Sequence, residues 1–235
     1  MKNGVLLAII SCEKDNELTA RHWPFFKKAG ADEIVGCGTR DGKTKWPEDI
    51  RTLNTGEVGL KKLSIGGTAI FSLLQVEMDC LEAFLSSPEF HSLAIVEADN
   101  LIVRQFPRHP ENLILTPIVP NLSPHFKTNV YYSTPRFYCR NTAAHVLHHA
   151  KELMAQGEVE HWCSDRFYAL ACFRARIRPM DFGWTNFPIK GPGNKDSHAE
   201  FIRDARAAIM IGKHSIHGIK DEETLKQVTE GLVTL

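Results

Sequence analysis

The sequence predicts a single α/β domain, Rossmann-like, with a mostly parallel mixed sheet flanked by helices. Three observations predict it. The runs Val5–Ser11 and His91–Val96 are continuously apolar, as strands buried on both faces require. Between them lie segments whose apolar residues recur at helical spacing, and strands that alternate with helices imply parallel pairing with right-handed crossovers. No polar or low-complexity stretch is long enough to separate two domains, and 235 residues suffice to bury one full core.

In chain order, Val5–Ser11 is expected as the first strand and Leu18–Ala29 as a helix closed by Gly30 just past its last turn. Asp32–Gly36 reads as the second strand, with the loop Gly38-Thr39-Arg40-Asp41-Gly42 behind it. Thr68–Leu85 places Ile70, Leu73, Leu74, Met78, Leu81, Phe84 and Leu85 on one helical face, with Gly66-Gly67 ahead of it. His91–Val96 is the central strand. Leu113–Val119 and Thr128–Tyr132 read as strands punctuated by Pro117, Pro120, Pro124 and Pro135. Helices are expected over Thr142–Gln156, Ser164–Phe173, Ser197–Met210 and Glu222–Leu235. The Gly-, Pro- and Asn-rich stretch Pro179–Ser197 is expected as an active-site loop.

Composition excludes some function classes. Lys plus Arg and Asp plus Glu are each 28, so the chain lacks the basic excess of a non-specific nucleic-acid binder, although a local basic groove is compatible with that balance. Cys12, Cys37, Cys80, Cys139, Cys163 and Cys172 form no CxxC pair and no zinc spacing, and are expected as free thiols in a reducing compartment. The apolar start Val5–Ile10 is short, lacks a cleavage signature and is expected as a strand rather than a signal segment. No apolar segment approaches a membrane span, so a soluble, cytoplasmic protein is expected.

Chemistry concentrates first at Glu97-Ala98-Asp99. Two carboxylates at i and i+2, just past the carboxyl end of a buried strand, emerge where open α/β sheets bind ligands. Carboxylate oxygens suit Mn²⁺ or Mg²⁺, which commonly keep substrate phosphates as further ligands. His217-Gly218-Ile219-Lys220 adds an imidazole that suits Mn²⁺ and an ammonium that can meet a diphosphate, with His214 as the competing histidine. Asp165 follows Ser164 at a helix start, where the positive helix end keeps a carboxylate ionised and able to accept a hydroxyl proton. Trp162 and Trp184 offer aromatic faces on which a sugar or base can stack.

The apolar strand followed by Glu97-Ala98-Asp99 resembles the DxD signature of glycosyltransferases with the GT-A fold, with Glu in place of the first Asp. His217-Gly218-x-Lys220 is similar to the late metal-binding His of that family. The resemblance implies a nucleotide-binding half over 1–100, an acceptor half over 101–220 and a C-terminal helix over 221–235. It implies donor contacts from Ser11 and Glu13 after the first strand, from Thr39 and Arg40 after the second, from the helix start at Gly66-Gly67, and from Glu97 and Lys220. It implies Asp99, Glu97 and His217 as ligands of Mn²⁺ or Mg²⁺, Asp165 as the catalytic residue, and Trp162 and Trp184 at the acceptor. The implied activity moves a sugar from a nucleotide-sugar, expected to be UDP-linked, to an acceptor hydroxyl. That acceptor is a glycan, a small molecule or a hydroxymethylated base in DNA, as in phage genome-modifying enzymes.

Rival readings rest on weaker signals. Gly36-Cys37-Gly38-Thr39-Arg40 resembles the GxGTR loop of sugar nucleotidyltransferases, but follows the second expected strand instead of the first. A catalytically inactive sugar-binding domain is the non-enzyme alternative. His145, His148 and His149 lack the HExxH order and are expected as a helix face. Arg174, Arg176 and Arg178 alternate, as the charged face of a strand or a basic wall of the acceptor groove would.

Overall fold

A computed structural model describes residues 4–38, 43–54, 63–65, 68–70, 74–106, 114–115, 118–120, 130–132, 134–156, 164–180, 185–186 and 195–230. The first half runs β1 (Gly4–Ile10), α1 (Asn16–Lys27), β2 (Glu33–Gly38), β3 (Arg51–Asn54), β4 (Leu63–Ile65), β5 (Thr68–Ile70), α2 (Leu74–Ser86), β6 (Phe90–Glu97) and β7 (Asn100–Ile102). The second half continues with β8 (Ile114–Leu115), β9 (Ile118–Pro120), β10 (Val130–Tyr132), β11 (Arg136–Cys139), α3 (Arg140–Ala155) and α4 (Ser164–Arg174). It ends with β12 (Thr185–Asn186), α5 (Lys195–Met210), β13 (Ser215–His217) and α6 (Glu222–Thr229).

The fold is α/β. Its main sheet has six strands in the order β3-β2-β1-β6-β11-β8. The first four are mutually parallel, and β11 runs antiparallel to both β6 and β8. The apolar run in β1 is fully buried because both of its faces are covered. Leu6, Ala8 and Ile10 join Leu93 and Ile95 of β6 in the core beneath α2, α3 and α4. Val5, Leu7 and Ile9 join Ala94 and Val96 in the opposite core with Trp23 and Phe26 of α1. This is the period-two alternation of a strand buried on two sides. A third core packs α5 and α6 on Leu101 of β7 and Ile216 of β13. There a small sheet of order β12-β13-β7 forms beside the main one.

The core beneath α2 contains a buried ion pair. Glu77 of α2 and Arg136 of β11 are 0% and 1% exposed. Arg136 Nε donates to Glu77 Oε1 at 2.7 Å, and its Nη2 donates to Oε2. Tyr138 Oη donates to Oε1 at 3.0 Å, and the guanidinium lies over the Tyr168 ring at 5.3 Å. Two bridging bonds and a stacked ring satisfy charges that would otherwise be costly to bury.

Several expected elements differ. The helix expected over Thr68–Leu85 begins only at Leu74, because Thr68–Ile70 pairs antiparallel with Leu63–Ile65. Ile70 fits the helical phase, but cross-strand hydrogen bonds hold it extended. Gly66 and Gly67 lie outside the described residues and do not immediately precede the helix. The second strand runs on through Cys37 and Gly38. An added Cβ at Gly36 would lie 2.3 Å from Trp46, and one at Gly38 would lie 2.8 Å from Thr44. These glycines therefore admit close side chains against a strand. Arg174–Arg178 is not a strand: α4 ends at Arg174, and Arg176 turns the chain with φ of 55°. The last helix stops at Thr229. No helix among the described residues is long and apolar enough to cross a membrane.

Candidate metal centre

The turn between β6 and β7 is built from its backbone outward. Ala98 N donates to Ile10 O at 3.0 Å, tying the turn to the carboxyl end of β1. Asn100 Oδ1 accepts from Glu97 N at 3.1 Å and closes the turn. His22 of α1 is fully buried, and its Nδ1 lies 2.8 Å from Ala98 O. A carbonyl can only accept, so that nitrogen carries the proton. Burial pushes the His22 imidazole down to about 4, against the opposing pull of Ala98 O and Asp99, and Arg21 pushes the same way as burial.

The later strand β13 then pairs antiparallel with β7, setting His217 opposite Asn100. Gly218 follows with φ of 91°, a conformation that glycine adopts without strain. The N–H groups of Gly218 and Ile219 both donate to Asp99 O at 3.2 Å. Backbone bonds thus fix both ends of the site before any side chain is considered.

Three side chains converge there. Asp99 Oδ1 is 3.1 Å and Glu97 Oε2 is 3.5 Å from His217 Nε2. One ligand atom from each of the three lies within 4.8 Å of the others. Their side chains are 12%, 27% and 19% exposed for Asp99, Glu97 and His217, so the cluster is recessed yet reachable. The 3.1 Å approach lacks hydrogen-bond alignment, and the buried Asp99 Oδ1 accepts no hydrogen bond among the described residues. Its closeness to the ring is therefore a charge contact. Two carboxylates and an imidazole gathered this closely could hold one metal ion.

The two carboxylates hold a proton on the imidazole, which a bound cation would have to displace. Burial alone would lower the His217 imidazole, but Asp99 and Glu97 overcome it and raise it to about 10. Burial alone would raise the Asp99 carboxyl, but His217, Lys220 and His22 hold it below its usual value. Lys220 Nζ stands 3.8 Å from Asp99 Oδ2 with its side chain 70% exposed, leaving the ammonium open to a phosphate.

The other expected site residues fall variously. Ser11 is buried at the end of β1, with its hydroxyl 2.7 Å from that of Thr19. Glu13 is exposed and pairs with Lys43 at 3.7 Å. Asp165 lies in the first turn of α4. Thr39, Arg40, Trp162 and Trp184 lie outside the described residues. His214 is separate from the cluster: its Nδ1 lies 2.7 Å from Gln105 O. His148, His149 and Glu152 form a second group on α3, where Glu152 meets His149 at 2.7 Å and His148 at 3.4 Å on an exposed helix face. Sequence reasoning missed His22 and the turn-closing role of Asn100. Asn at that position is a turn signal, but a lone histidine in an amphipathic helix offers none.

A scan against known protein-family models and a search of curated proteins found no match to this chain.

Proposed function

We propose that this chain is a metal-dependent glycosyltransferase of the GT-A type, taking a nucleotide-sugar, UDP-linked, as donor. The observation that carries the reading is the convergence of Glu97, Asp99 and His217 at the carboxyl end of a central parallel strand. Open α/β sheets bind nucleotides at that edge. Asp99 and His217 would hold Mn²⁺ or Mg²⁺, with Glu97 as a third ligand or as acceptor for a ribose hydroxyl. A bound cation supplies neutralisation of the charge that builds on a departing diphosphate. Lys220 would add a second positive charge from the opposite side of Asp99. Asp165, at a helix start, would orient the acceptor hydroxyl and take its proton. Because Gly36 and Gly38 serve side-chain packing in β2, the nucleotidyltransferase alternative draws no support from a phosphate-cradling loop.

The test is Mn²⁺ titration calorimetry on the wild type and on Asp99→Asn, followed by nucleotide-sugar hydrolysis with and without EDTA. Losing a direct ligand should weaken Mn²⁺ by more than the roughly 10–100-fold that supporting residues typically cost, and should abolish hydrolysis. Equal Mn²⁺ affinity in the two proteins, or hydrolysis that persists in EDTA, refutes the reading.

A further inference from the structure

The corner at the end of α4 carries positive charge that no acidic side chain among the described residues pairs with. Arg174, Arg176 and Arg178 are all exposed, and Phe173 beside them is 76% exposed. Arg174 Nη1 donates only to the Gln156 amide oxygen, at 3.3 Å, and no ion pair forms at Arg176 or Arg178 among the described residues. Elsewhere arginines are engaged: Arg21 with Glu17, Arg51 with Glu33, Arg136 with Glu77, and Arg206 with Glu230. Arg104 and Arg140 donate to backbone carbonyls. In a chain of zero net charge, three guanidinium groups within five residues, none in an ion pair among the described residues, are a local cationic excess.

The shape is concave. Phe173, Arg174, Arg176, Ile177 and Arg178 line a shallow depression that is wide open to solvent. The left-handed turn at Arg176 creates it by folding the chain back, with Ile177 N donating to Cys172 O at 2.9 Å. That bond and the one from Arg176 N to Phe173 O, at 3.0 Å, form the common left-handed cap that ends a helix.

Topology sets this corner at the same end of the sheet as the metal cluster. β11 runs toward the amino-terminal end of β6, ending with Cys139 opposite Ser92. Arg140 then anchors the start of α3 by donating to Ser87 O and Phe90 O, both at 2.9 Å. The helix runs back across the sheet for 16 residues, about 24 Å at the usual rise, so Gln156 lies at the carboxyl end. Arg174 meets Gln156 there.

We propose that the Phe173–Arg178 corner binds a single nucleic-acid strand, its phosphates on the three arginines and a base stacked on Phe173. Guanidinium groups fit phosphate oxygens in a fork, and an exposed aromatic face takes any base. Arginines spaced beside one exposed aromatic ring match the alternating phosphates and bases of a single strand. This supplies an acceptor class for the reaction proposed above and rests on that reading for its catalytic meaning.

The experiment is fluorescence anisotropy with a labelled single-stranded DNA 20-mer across a salt series, in EDTA, so that failure of metal binding leaves the result untouched. Three phosphate contacts on a single strand predict a log–log salt slope near −2, or affinity about twentyfold weaker at 200 mM than at 50 mM salt. The variant Arg174→Gln/Arg176→Gly/Arg178→Gln should show a slope near zero, and glycine suits the left-handed position. Phe173→Ala should weaken binding roughly tenfold at every salt concentration while keeping the slope. Near-UV circular dichroism and an unchanged thermal midpoint establish that the variants fold. No binding at low salt, a wild-type slope in the triple variant, or capture by phosphatidylserine vesicles without oligonucleotide binding each overturns the proposal.

Discussion

Replacing Glu77 with Leu should be among the most damaging single changes outside the metal cluster. It leaves the Arg136 guanidinium, 1% exposed, without either of the two charged bonds that hold it, and leaves the Tyr138 hydroxyl without an acceptor. Arginine cannot shed its proton, so the charge stays in the core. Breaking a buried pair from one side costs about 3–5 kcal/mol, a large share of the roughly 5–15 kcal/mol that holds a domain folded. For a chain of this size that is a fall in Tm of about 10–15 °C. Arg136→Met should cost less under mild acid, because a buried carboxyl that has lost its guanidinium can neutralise itself by taking up a proton. The combination Glu77→Leu/Arg136→Met/Tyr138→Phe removes the pair together with the hydroxyl bonded to it and should recover most of the loss. Urea denaturation of the four proteins at pH 7 and pH 5 measures this. Penalties that simply add in the triple variant would refute the pairing argument.

His22 predicts an acid-sensitive window. Its folded value of about 4 lies below the ordinary 6.5, so the unfolded chain takes up a proton that the folded chain refuses. Stability should therefore fall as pH drops from about 6.5 to 4, by about 3 kcal/mol in total, and His22→Asn should flatten that stretch in denaturation curves measured against wild type. An identical pH profile in the two proteins would count against a buried neutral imidazole. At Gly36, alanine would drive its Cβ against the Trp46 ring, so Gly36→Ala should lose about 1–3 kcal/mol, and Gly36→Ala/Trp46→Leu should regain part of it by thermal melt. Asp221 caps α6 through Thr224 N at 2.8 Å, so Asp221→Ala should cost about 1 kcal/mol in chemical denaturation, and an unchanged midpoint would show the cap to be dispensable.

What the chain discloses before folding follows the range of the forces involved. β1 and β6 were legible because a strand buried on both faces needs an unbroken apolar run, and Leu93–Val96 supplies one. Glu97 and Asp99 were legible because they directly follow it, and His217 joins them. β11 was not legible. It begins with a charged Arg136, and what allows that charge into the core is Glu77, on a helix far away in the sequence. β13 is three residues long, too short to show a period, and exists because β7 offers it an edge. His22 had no local signal because its partner, Ala98 O, comes from the other side of the sheet edge. The arginines after α4 alternate as a strand would, and only the backbone angle of Arg176 reveals a turn.

The pairing of β13 with β7 has a consequence for how the protein is made. The main sheet and both cores against it draw on residues that precede β13, whereas His217 reaches the carboxylates only when that strand docks. A nascent chain could therefore form its sheet while the cluster is still incomplete. Closure of that cluster would follow the sheet in time, and a chain cut before Ser215 would keep both carboxylates but lack the imidazole that meets them.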